Sequence, residues 1–574
     1  MLTVPRFLSR KAARHAVFAL TALLLFALPW VDFASAVGQG GWAALSGGVL
    51  AVVGAVLVFT TVRSPGAGLT DLLVALVVAY CLTNGALASP GLAGRAVTLA
   101  LAYAVGRGLR GANRSLAYAL VLTGAVQAAM GLGQWLGLLP LRNVLFPATG
   151  CFDNPGPWGG YVALASAGTV GLWLWAPPQR RWARTGLGVA SAVLAAGLVL
   201  SDSRAAWSGL LVSGTVAAAV RWHIGWRRWL PAVVVGGGVA LAVLYAYRPA
   251  SADARLLIWK SSLHLWAEHP WTGVGTRQFP AHYLTAQANY LTTADSEERR
   301  QAADTQTAYS EPLRWLCEQG VAGTVLLVGA VAAGAMAVAR HRPHGARLTL
   351  LPVVALAVFS LFSYPSDVWA LWVWLPVLVG ASLPAGKVLR ARGWMCPAAA
   401  VLLMAFSVWG FCRFAVLARL DRALTAWWTT DSPQARRYVD RHLCTLRDDP
   451  AALDYYSRLL LFRGDHAAAL PEMERLGRMR PSVGLLVETG RAYSAAERPK
   501  EAYACFDKAA CMTPGLLTPL YARWQLLRTE EREAEARRTA RQIVAFQPKI
   551  DNLTTRAMQR EAEEYLTHTN DTNR

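Results

Sequence analysis

Long apolar runs recur from Ala16 to Val416, and no other feature of this 574-residue chain restricts its fold as strongly. Many are near 20 residues, enough to cross a hydrocarbon core as helices. With no water to satisfy them, the backbone polar groups of such runs must pair internally, as they do in helices. They fall at roughly 16–33, 42–61, 69–88, 93–106, 115–138, 157–176, 185–201, 205–220, 229–247, 315–338, 348–364, 366–384 and 395–416, about thirteen spans. Only 16% of residues are charged, below the quarter typical of soluble domains, and many of the 23 tryptophans stand at the ends of runs. The first run follows Arg6, Arg10, Lys11 and Arg14, as in a signal peptide. No small-residue cleavage pattern follows, so it is read as a retained span.

Alternate connections carry the arginines and lysines. Arg63; Arg107, Arg110 and Arg114; Arg180, Arg181 and Arg184; Arg221, Arg227 and Arg228; Arg340, Arg342 and Arg347; and Lys387, Arg390 and Arg392 fall on the side of the N-terminus. The opposite short connections hold Arg142 and Arg204, with Arg95 at a span edge. That asymmetry places the N-terminus in the cytoplasm. An odd number of spans then puts the tail outside, together with the long connection at about 248–314.

The net charge of +21 follows the same pattern. Its basic clusters sit between apolar runs and read as topology signals, so nucleic acid is not an expected partner. The eight cysteines show neither CxxC pairs nor zinc-ligand spacing, and no metal is expected. A disulfide among Cys444, Cys505 and Cys511 is open but not indicated.

After Val416 the composition turns soluble, with acidic and basic residues nearly balanced. Leu486, Gly490, Tyr493, Ala502, Phe506, Ala509 and Pro514 fall on the tetratricopeptide spacing. Leu453, Leu460, Ala469 and Pro481 fit a preceding unit, and Leu520, Leu527, Ala536 and Pro548 a following one. The closing prolines lie 33 and 34 residues apart, the length of one such repeat. The expected fold is all-α: a polytopic transmembrane helical bundle over 1–417, then a tetratricopeptide-type solenoid over 418–574. Solenoids present a concave groove to protein partners, and they also serve as plain spacers.

Chemistry-bearing residues cluster in and around the long exterior connection. It opens with Arg255-x3-Trp259-x10-Pro270-x2-Gly273-Val-Gly275-x3-Phe279-x3-Tyr283. Arg255 and Trp259 share a helix face. Leu256, Trp259, Leu263 and Trp266 give that helix an apolar side suited to a bilayer surface. Phe152-Asp-Asn154-Pro155 precedes a span, Ser201-Asp-Ser203-Arg204-Ala-Ala-Trp207 links two spans, and Leu313-x4-Glu318-x-Gly320 opens the span after the connection.

Over residues 140 to 365 the order of these motifs resembles the O-antigen ligase and polymerase superfamily of membrane glycosyltransferases. The resemblance implies a bacterial inner-membrane enzyme that moves a glycan from a polyprenyl-diphosphate carrier to a lipid, glycan or protein hydroxyl, with no metal and no cofactor. Guanidinium forks are suited to a diphosphate leaving group, because they bind phosphate bidentately and stay charged. Arg204 and Arg255 are the residues this logic selects, with Asn154, Trp259, Arg277, His282 and Arg314 as substrate-binding candidates. Arg204 also reads as a snorkelling or capping arginine, and Arg255 as half of an ion pair. Family members often carry His-Asn just before the Leu-x4-Glu-x-Gly segment, where this chain has Tyr309-Ser310-Glu311. Glu311 or His282 is then the candidate base toward the acceptor. Glu311 also reads as an acidic residue at a helix N-terminus, and Asn154 as the anchor of a polar bend.

Ligation, polymerisation and protein O-glycosylation share these motifs. A lipid-linked-glycan transporter would carry ionisable groups at the midplane, and an envelope scaffold would leave the loop motif unexplained. The topology is open to direct test. A reporter fused after Val416 should be active only outside the cytoplasm, and cytoplasmic activity contradicts the odd span count.

Overall fold

A computed structural model describes residues 10–30, 38–60, 68–225, 227, 231, 249–343, 345–386, 395–549 and 551–571. Among these there are helices and no strand. The expected span at 229–247 lies outside the described residues, as do Arg6, Arg63, Arg228, Lys387, Arg390 and Arg392. Among the described residues, six helices are long and apolar enough to cross a membrane: Ala12–Trp30, Gly40–Val58, Asn113–Trp135, Arg181–Leu200, Glu311–His341 and Pro397–Thr430. Leu69–Thr83, Ala346–Ser360 and Trp369–Ser382 are apolar but shorter. Pro90–Gly108, Pro155–Trp175 and Arg204–Arg221 cover the other described runs. The chain is a membrane protein.

One run differs from expectation. The segment 366–384 is not a continuous helix: a 3-10 turn at Pro365–Asp367 precedes short helices at Trp369–Trp372 and Trp374–Ser382. Pro365 removes a backbone donor at the start, and Ser366 and Asp367 bond to groups outside the segment.

The described residues form two compact units. The first comprises residues 1–247, 309–315 and 321–422, and the second 248–308, 316–320 and 423–574. By packing, most of the long connection therefore belongs with the tail rather than with the spans. The division at 417/418 read from composition falls inside the Met395–Thr430 helix.

In the first unit, small residues let helix backbones touch, as membrane helices require. A Cβ on Gly106 would lie 2.3 Å from Val377 O, and one on Gly209 2.6 Å from Ala355 O. One buried charge is held by several partners. Arg107, 6% exposed, pairs with Asp71 at 2.9 Å and donates through Nη1 to Leu383 O at 3.0 Å. Tyr103 donates to the same aspartate at 2.7 Å. A buried pair satisfied this way ties three helices together, and losing either partner strands the other. The bundle has two distinct ends. Asn113 bonds Thr349 at 3.5 Å and Arg347 stacks on Trp175 at 5.7 Å at the end carrying the basic connections. Asn154 and Arg204 lie at the other, at the N-termini of Pro155–Trp175 and Arg204–Arg221.

In the second unit, Pro249–Glu268 packs on Phe279–Leu291, and the tail runs as successive helices from Pro433 to Asp571. Val483–Ala495 and Pro499–Met512 form the pair that the repeat spacing singles out. There a Cβ on Gly490 would meet the Phe506 ring at 2.4 Å, so the small residue sets the approach. Ala502, Phe506 and Ala509 are buried against it. Cys444, Cys505 and Cys511 are free thiols.

Candidate active site

Asn154 is the N-cap of Pro155–Trp175, its Oδ1 accepting from Gly156 N at 2.8 Å. Two glutamines seven residues apart on Asn113–Trp135 pin the segment before it. Gln134 Oε1 accepts from Thr149 N and Gly150 N, both at 2.9 Å, and Gln127 Oε1 accepts from Cys151 N at 3.0 Å. Fully buried Trp158 donates its indole N–H to Gln127 O at 3.0 Å. One residue on, a Cβ on Gly159 would lie 2.6 Å from Ser201 Oγ and 2.7 Å from Ser203 Cβ. The Asn154–Pro155 and Ser201–Arg204 motifs therefore meet. Ser203 caps the next helix through Ala206 N at 3.4 Å, which makes half-buried Arg204 its first residue. Trp207 closes the turn by donating to Leu198 O at 2.9 Å.

Gly160 abuts the Phe359 ring, and seven residues beyond Phe359 the chain reaches Ser366. Glu311, first residue of Glu311–His341, is held there. Its Oε1 accepts from Ser366 Oγ at 2.6 Å and Ser366 N at 3.0 Å. Both bonds fall on one oxygen, so Oε2 is the atom that would take up a proton. One turn on, Arg314 is 4% exposed and pairs with Asp367 at 2.7 Å, its Nη1 also reaching Ser366 Oγ at 3.3 Å. Tyr309 stands edge-on to Tyr364 with centroids 5.3 Å apart. Glu311 and Arg314, the latter a substrate-binding candidate, thus sit in one polar cluster, and Arg314 also fixes the 3-10 turn. Ser366 and Asp367 were missed in the sequence. Their signal was the spacing: runs at 348–364 and 366–384 leave no room for a turn unless Tyr364-Pro-Ser-Asp367 supplies one.

The remaining candidates belong to the second unit. Arg255 is half-buried on Pro249–Glu268. The buried side of that helix is Leu257, Ile258, Ser261, Ser262 and Leu265, while Leu256 and Leu263 stay exposed. Trp259 donates its indole N–H to Ala308 O at 3.1 Å, which ties the start of the segment to its end. The glycine turn and the Glu-x-Gly motif are one piece of structure. Val274 N donates to Cys317 O and Gly275 N to Glu318 O, each at 2.9 Å. Gly320 breaks the helix at φ 62° and ψ −166°, and its Cβ position is 2.3 Å from Trp271 O and 2.6 Å from Gly273 N. Only glycine fits where two backbones pass this closely. Glu318 then accepts from Arg277 N at 2.9 Å and holds Arg277 in a left-handed conformation. The His282 ring lies 6.4 Å from that of His269. Partial desolvation, then the neighbouring histidine, pulls its pKa below the ordinary value, which favours a neutral imidazole able to accept a proton.

Several of these positions fall in one stretch that a family model covers. Residues 189–328 match the family model of the O-antigen ligases. The matched stretch contains Arg204, Arg255, Arg277, His282, Glu311 and Arg314, while Asn154, Ser366 and Asp367 lie beyond it. The likeness to that family covers 140 of the chain's 574 residues. Among curated proteins none matches the chain.

Replacing Gly320 tests the joined motifs. An alanine there must adopt a conformation that costs about 1–3 kcal/mol and must also displace Trp271 O. Gly320→Ala should speed amide exchange at 271–276 roughly tenfold or more. Gly329→Ala, whose Cβ meets nothing within 4 Å, should leave it unchanged. Equal exchange in both variants would separate the two motifs.

Proposed function

We propose that the chain is an inverting, metal-independent glycosyltransferase of the O-antigen ligase type, acting on the outer face of the bacterial inner membrane. The observation that carries this reading is the family match over 189–328, which takes in both arginines and Glu311. The donor is a glycan on a polyprenyl diphosphate, and the acceptor is a hydroxyl on a lipid, a second glycan or a protein. The acceptor oxygen attacks the anomeric carbon as the bond to the diphosphate oxygen breaks, which inverts that carbon. The acceptor proton passes to Glu311 Oε2 or to neutral His282. The diphosphate departs with its developing charge on Arg204 and Arg255, whose forks match its oxygens.

Other residues act through these. Ser366 fixes the Glu311 carboxylate, and Arg314 fixes Ser366 through Asp367. Asn154 serves as a helix cap beside the Arg204 turn. Trp259 and Arg277 shape the segment that carries Arg255. The tail, read as a tetratricopeptide-type solenoid, lies in the periplasm.

The test is transfer from a purified polyprenyl-diphosphate glycan in the presence of a chelator. Arg204→Lys keeps the charge but loses the fork, and should cost about 3 kcal/mol, roughly a hundredfold in rate. Glu311→Gln should lower turnover while donor binding persists, since a base acts on the acceptor. Full activity in Arg204→Lys and Arg255→Ala sinks the site assignment. Loss of activity on chelation overturns the metal-free mechanism.

A further inference from the structure

Three turns separate successive helix pairs of the tail, at Pro481, at Thr513–Gly515 and at Pro548–Lys549, and the same segment of the chain touches all three. At the first turn, Asp304 Oδ2 accepts from Val483 N at 3.0 Å, and Gln306 Nε2 donates to Pro481 O at 2.5 Å. At the second, Gln287 Nε2 donates to Met512 O at 2.7 Å. A Cβ on Gly515 would come within 2.3 Å of Arg300 O. At the third, Lys549 Nζ donates to Gln301 O at 2.7 Å and to Ala302 O at 3.3 Å.

These are built contacts. Gln287 is fully buried, and all its polar atoms are engaged: Nε2 also donates to Ala303 O at 3.2 Å, and Oε1 accepts from Tyr283 at 2.7 Å. Ala302 is fully buried too. Asp304 sits at the open N-terminus of Val483–Ala495, where helix N–H groups lack intrahelical partners and favour an anion. Ser482 satisfies Leu485 N at 3.1 Å, and Asp304 takes Val483 N, so the two side chains share the cap. Partial burial pushes the Asp304 carboxyl above its usual range although the residue keeps an exposed side. Most of the bonds join a side chain on one segment to backbone on the other. Equivalent turns recur at each repeat, so one segment can reach successive ones.

We propose that the ligand of this edge of the tail is the chain's own 283–306 segment, so that the tail holds the motif-bearing connection in place rather than offering these turns to a separate protein. The proposal stands on packing alone and does not depend on the glycosyltransferase reading. It assigns Gln287, Asp304, Gln306 and Lys549 to positioning.

Hydrogen exchange on the intact chain tests it, because a real contact must be reciprocal. Gln287→Ala should raise exchange in peptides covering 512–517. Asp304→Ala should do so at 483–486, by about fivefold for one lost hydrogen bond. Asp304→Asn keeps an oxygen acceptor and should restore protection there. Lys549→Met, made on the tail side, should raise exchange at 300–304. Peptides of Pro155–Trp175 and Leu553–Asp571 report whether each variant remains folded. Unchanged exchange across the contact in variants from both sides overturns the proposal, as does a failure of Asp304→Asn to differ from Asp304→Ala.

Discussion

Two backbone hydrogen bonds, from Val274 and Gly275 to the carbonyls of Cys317 and Glu318, organise the motif-bearing segment. They form only because Gly320 abandons helical geometry and because neither Gly273 nor Gly320 carries a side chain. Each bond is worth only about 0.5–1.5 kcal/mol net, but their position matters more than their strength. They fix the turn from which Phe279–Leu291 departs, and they place the Glu318 carboxylate against Arg277 N. Gln287 on that helix then reaches the tail. The glycine-rich turn and the Glu-x-Gly motif are about 40 residues apart in sequence but form a single contact, which is the physical reason for both.

The first unit solves a different problem. Apolar helices gain nothing from excluding lipid, so close packing and satisfied polar groups must hold them. Gly106 and Gly209 let backbones touch, and Asp71 takes bonds from both Tyr103 and Arg107. The same economy serves the candidate site. Gln127 and Gln134 spend their amides on the segment before Asn154, and Arg314 spends its charge on Asp367. The Ser366 bonds give the Glu311 carboxylate a fixed direction.

Much of this was legible in the sequence. Apolar length located the helices, and the 33- and 34-residue proline spacing located the turns of the tail. Asn154 announced itself by residue type as the anchor of a polar bend before a span. What could not be read were partners. Nothing in the local pattern of Arg314 distinguishes a substrate-facing arginine from one bound to Asp367 53 residues away. Nothing near Gln287 points to Met512. Periodicity reports which face of a helix is apolar, not what covers it. For the same reason the long connection at 248–308 looked like a loop of the membrane domain, whereas it packs with the tail. The Tyr364–Asp367 break was hidden by the hydrophobicity on both sides of it.

The central claim is that this chain breaks the bond between a glycan and its lipid diphosphate with inversion. The most direct measurement uses a polyprenyl-diphosphate glycan labelled with 13C at the anomeric carbon, incubated with the purified full chain in nanodiscs and a cell-envelope acceptor extract. Carbon NMR should show the label in the opposite anomeric configuration in the product, with polyprenyl diphosphate released in equal amount. Retention of configuration, or an intact donor after prolonged incubation with acceptor, would contradict the account.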